Sequence, residues 1–90
     1  MTPPPDVVAL IANLPLGTST GTAFGKRYVA SRTTFSAGKA TKVVAEELGG
    51  SDYISMNLYT LRAGPALYPC EMSSDKVIDF LRHFTADTTG

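Results

Sequence analysis

The chain has one cysteine, one histidine, no tryptophan and no surplus of either charge, and each scarcity removes a class of explanation. With Cys70 alone, no intrachain disulfide can staple the fold, and no cysteine-based metal cluster can form within one chain. Such sparing use of cysteine points to a reducing cytoplasm. The single histidine, His83, cannot hold a metal without carboxylate partners, and neither His-x-x-x-His nor Asp-x-Asp spacing occurs. We expect no metal and no cofactor. Eight basic residues balance eight acidic ones, so the molecule as a whole has no net attraction for nucleic acid or an anionic membrane. Residues 1–15 carry no basic side chain before a short apolar stretch, well below the about 20 apolar residues of a membrane span. Neither a leader nor an anchor is expected.

What is present is the composition of an ordinary globular domain, 43% hydrophobic and 18% charged over 90 residues. We read one domain over residues 1–90, with a proline-rich lead-in at 1–5 and a frayed tail at 85–90. Asp6 to Leu14 places Val7, Leu10, Ile11 and Leu14 on one helical face between prolines. At the other end, Ser73 is an N-cap before a stripe of Val77, Phe80, Leu81 and Phe84.

The middle of the chain has a period of two. A short strand is expected around Thr20 to Ala23, and Lys26 to Phe35 is rich in β-branched and aromatic residues. Ser36-Ala37-Gly38 then reads as a three-residue hairpin loop. Lys39 to Leu48 fits either a helix ended by Gly49 or a returning strand, and we favour the strand. Asp52 to Leu61 alternates cleanly, and Ala66 to Tyr68 is a last short strand. The expectation is an α+β fold: N-terminal helix, antiparallel meander of three to four strands, C-terminal helix, with the helices on one face of the sheet.

The stretch GTSTGTAFGKR at residues 17–27 raises the possibility of a phosphate-binding loop. That motif needs Gly-x-x-x-x-Gly-Lys followed by a hydroxyl side chain, because backbone amides wrap the phosphates and the hydroxyl holds the magnesium. Here Thr20 stands where the first glycine should be and Arg27 where the hydroxyl should be. The glycines are expected to serve the backbone of a strand and a turn.

The runs LPLGTSTGTAFGKRYVASRTTF, AEELGGSDYISMNLY and PCEM, spread over roughly residues 10–82, resemble a group of small bacterial proteins without a settled role, sometimes labelled peptide methionine sulfoxide reductase. That label implies a cysteine nucleophile. Methionine sulfoxide reductases of the A type carry it in Gly-Cys-Phe-Trp, whereas here Cys70 stands between Pro69 and Glu71.

Two places are candidates for function. Cys70 lies three residues before the Ser73 cap, a setting that favours a reactive thiol, although Glu71 is adjacent and no second cysteine exists to resolve an oxidised sulfur. The second candidate is a sheet face. Lys26, Arg27, Arg32, Lys39 and Lys42 fall in one stretch with no acid between them. A three-residue loop sets Arg32 opposite Lys42 on the side of Tyr28, where Tyr53 and Tyr59 of the next strand join them. With both helices on the other side, this face is expected to be open. We read the chain as a non-catalytic module that binds a protein partner, or a second copy of itself, through Tyr28, Arg32, Lys42, Tyr53 and Tyr59. The alternative is a thiol-dependent redox enzyme using Cys70. A third reading, nucleic-acid binding through the basic hairpin, lacks the net charge and the aromatic-and-glycine signature of such platforms.

Overall fold

The computed structural model describes residues 1–87. Helix α1 (Pro5–Asn13) leads into five consecutive strands, β1 (Gly17–Ala23), β2 (Lys26–Phe35), β3 (Ala40–Glu47), β4 (Tyr53–Leu61) and β5 (Gly64–Pro69), and these are followed by helix α2 (Ser74–His83) and a two-residue strand β6 (Thr85–Ala86). The sheet order is β5-β4-β3-β2-β1-β6, antiparallel throughout. The α+β class and the two terminal helices agree with the sequence reading. The strand count does not: six strands form among the described residues, not three to four. The ambiguous segment, Lys39 to Leu48, is the strand favoured for it, over Ala40–Glu47.

Helix α2 explains the sixth strand. Its N-cap Ser73 accepts the Lys76 N–H, and its buried residues Val77, Ile78, Phe80 and Leu81 carry it across the sheet from the β5 edge to the β1 edge. There Thr85 pairs with Thr22 and Ala86 with Gly21. The expected frayed tail therefore begins as sheet, and its residues 88–90 lie outside the described residues. Gly21 is what allows this approach. A Cβ at that position would lie 2.5 Å from the Phe84 ring and collide with the Thr85 carbonyl oxygen, so only glycine leaves room for the returning chain.

Pro5 starts α1 where an amide N–H would have no helical partner, and Val7 and Ile11 are fully buried. The lead-in is tied down: Met1 exchanges two backbone hydrogen bonds with Leu67 of β5, and Pro3 is buried. One core fills the space between the helices and the sheet, with Tyr28, Val43, Ile54, Met56, Leu67 and Phe80 among its fully enclosed side chains. Among the described residues no element covers the opposite face of the sheet.

The glycine-rich stretch is β1 and the start of β2. Phe24 and Gly25 both adopt positive φ, 54° and 71°, in a two-residue turn that pairs Ala23 with Lys26. Its backbone amides belong to a hairpin.

Candidate interaction surface

Strand register decides which side chains reach the open face. The loop after β2 holds four residues, Ser36 to Lys39, closed by the Lys39 N–H donating to the Ser36 carbonyl, and Phe35 pairs with Ala40. A three-residue loop would have paired Phe35 with Lys39 and Arg32 with Lys42. The extra residue moves the returning strand by one and turns its side chains to the other side. Arg32 faces Val43, and Lys42 faces Thr33.

Two expected binding residues are thus on the wrong side for an open-face role. Tyr28 is fully buried under α2, edge-on to Phe80 at 5.0 Å, with its hydroxyl donating to Asp52 Oδ2 at 2.8 Å. Arg32 donates from Nη1 to the Ala12 and Leu14 carbonyls at 3.1 and 2.9 Å, closing the C-terminal end of α1, while its buried Nε has no partner among the described residues. Arg32 and Lys42, expected opposite each other, lie on opposite sides of the sheet. Lys42, Tyr53 and Tyr59 do share the open face, because Lys42 pairs with Asn57, Glu46 with Tyr53 and Ala40 with Tyr59.

The face also carries aromatics that sequence reasoning missed. Phe35 and Tyr59 rings are 6.5 Å apart, and Tyr59 and Tyr68 rings 5.6 Å apart, both edge-to-face. Phe35, Tyr53 and Tyr68 are each more than two-fifths exposed. Tyr68 was detectable from its alternation with Leu67 in the last strand. Phe35 was hidden by the register, which sets it on the open side with Val29 and Ser31.

The basic stretch does not form one patch. Arg27 makes a two-pronged pair with Asp87, at 2.9 and 2.6 Å, and Thr20 donates to the same carboxylate at 2.8 Å. The Arg27 hydrogen bonds, followed by that of Thr20, hold the Asp87 carboxyl down at about 2. Along β3 the open face presents one positive and one negative side chain, Lys42 and Glu46, both exposed, with Val44 between them.

A second polar cluster supports the core side. Asp52 accepts from Tyr28 and is 2.8 Å from Lys76 Nζ, whose charge also lies 5.5 Å from the Tyr53 ring centre. Hydrogen bonds from Lys76 and then Tyr28 hold the Asp52 carboxyl below its ordinary value. Burial, then the bond to Asp52, pushes the Tyr28 phenol up to about 12.

Cys70 is half-buried just past β5. Its N–H donates to the Ser55 carbonyl at 2.9 Å, and Asn57 Nδ2 approaches its sulfur at 3.8 Å, so it sits at the border of the open face. His83 is elsewhere, its ring 4.8 Å from that of Phe24 at the β1–β2 turn and its Nδ1 2.7 Å from the Asp79 carbonyl oxygen. Among the described residues no group of three metal-ligating side chains converges. No helix among them is long and apolar enough to cross a membrane. No family model, curated protein or solved structure matches the chain.

Proposed function

We propose that this protein is a non-catalytic interaction module that docks through the open face of its sheet. The observation that carries the reading is the cluster of Phe35, Tyr59 and Tyr68, three neighbouring rings on a face that no other described element covers. Exposed aromatics of this kind supply large, rigid contact area with little side-chain entropy to lose, which is why they recur as interface anchors. Lys42 and Tyr53 extend the same surface. Tyr28 and Arg32 have a supporting role: one pins β2 to α2 and the other pins β2 to α1.

The test is a variant carrying Phe35→Ser, Tyr59→Ser and Tyr68→Ser, compared with the wild type for self-association and for retention of co-purifying proteins. The reading requires that at least one of these is lost while the circular dichroism spectrum is kept. Unchanged association of both kinds would overturn it. A thiol-dependent activity at Cys70 predicts instead that Cys70→Ser alone abolishes function, with the aromatic variant still active.

A further inference from the structure

We propose that the occupant of the open face is a second copy of this chain, packed face to face in antiparallel register about a two-fold axis that crosses β3 at Val44. The inference rests on the docking reading above and adds the partner and its geometry.

Charge selects the arrangement. On β3, Lys42 and Glu46 lie at equal distances on either side of Val44, and Ser31 of β2 and Ser55 of β4 are paired with Val44 itself. A face-to-face pair of identical sheets has its two-fold axis in the plane between them. If that axis runs along the strands, Lys42 lies over the partner's Lys42 and Glu46 over the partner's Glu46. If it runs across the strands at Val44, each Lys42 lies over the partner's Glu46, twice by symmetry. Only the second arrangement pairs opposite charges, and it keeps the two sheets' strands aligned, as in packed β-sandwiches.

Shape agrees with charge. Around the proposed axis the side chains are short, and Thr18, Val29, Ser31, Val44 and Glu46 border a depression of about 210 Å³. The methylene stem of Lys42 from the second copy would enter this depression with its ammonium directed at Glu46. Within one chain these two residues are four positions apart on an extended strand, about 13 Å, too far to pair with each other. The molecule's two longer dimensions are 39 and 29 Å, so a face of that outline offers on the order of the ~800 Å² per partner that a standard interface buries. Growth through sheet edges is hindered. Met1 occupies β5 at Leu67, where Pro65 and Pro69 remove further donors, and β6 covers β1 at Gly21 and Thr22.

The experiment is sedimentation velocity over a wide concentration range on wild type, Lys42→Glu, Glu46→Lys and an equimolar mixture of the two variants. Both positions are exposed, so folding is expected to be kept, and circular dichroism checks it. The wild type should dimerise, and each reversal alone should weaken the dimer at least ~10-fold, because it places like charges opposite each other at two symmetric positions. In the mixture every facing position again carries opposite charges, so heterodimers should recover most of the lost affinity. A wild type that stays monomeric, or single reversals without effect, or a mixture no stronger than its components, would overturn the proposal. The docking reading fails separately: it falls only if the aromatic triple variant leaves every association intact, whether or not the chain pairs with itself.

Discussion

Tyr28 makes a demanding test of how register determines environment. On an open face its phenol would titrate near 10, whereas beneath α2 it is pushed up to about 12. The neutral phenol is therefore favoured in the folded state, and between these two values the unfolded chain holds fewer protons than the native one. Stability is fully present below pH 10 and falls as pH rises toward 12. A two-unit difference corresponds to about 3 kcal/mol. Burial is the larger cause of that difference, and the hydrogen bond to the charged Asp52 is by itself worth about 1.5–3 kcal/mol. Tyr28→Phe keeps the ring against Phe80 and removes only the hydroxyl, so it isolates this contribution. Urea denaturation of both proteins at intervals from pH 9 to 12 should show the variant about 2 kcal/mol weaker at pH 9 and the two curves converging by pH 12. Every other ionisable group is common to the two proteins and cancels in the difference. A gap that stays constant across the range would refute the buried, Asp52-bonded phenol.

Gly21→Ala should destabilise the protein by about 1–3 kcal/mol, since the added methyl meets the Phe84 ring and the Thr85 carbonyl in a packed seam; amide exchange should show the Asp87 N–H, bonded to the Thr20 carbonyl, opening first. Ala37 holds a φ of 56° in the β2–β3 loop, and Ala37→Asn should raise stability by about 0.5–1 kcal/mol in thermal melts, because asparagine tolerates the left-handed region better. Asp87, held at about 2 by Arg27 and Thr20, contributes stability that is present above the ordinary carboxylate range and lost as pH falls toward 2; its carbon chemical shift should titrate there, and Arg27→Gln should move the titration back up.

The sequence alone was enough for the class of fold and for its two helices, because those signals are local. Ser73 caps a run whose apolar stripe repeats at helical spacing, and Pro5 and Pro15 bracket the first helix whatever it packs against. The alternation of Ile54, Met56 and Leu58 against Tyr53, Asn57 and Tyr59 likewise assigned β4 its two faces, and the structure puts Tyr53 and Tyr59 on the open one. The same reasoning had no purchase on β2. Tyr28, Ala30 and Arg32 alternate with Val29, Ser31 and Thr33, so either set could face inward, and the choice hung on whether the next loop held three residues or four. Only the packed molecule decides that. Phe80 and Asp52 enclose Tyr28, the end of α1 binds Arg32, and the added loop residue then carries Lys42 to the opposite side. Strand β6 is a tertiary product too: two residues have no periodicity to read, and they become strand because α2 delivers them to the edge of β1, where Gly21 leaves room. Local pattern specifies which residues can be buried, and register, a long-range property, specifies which of them are.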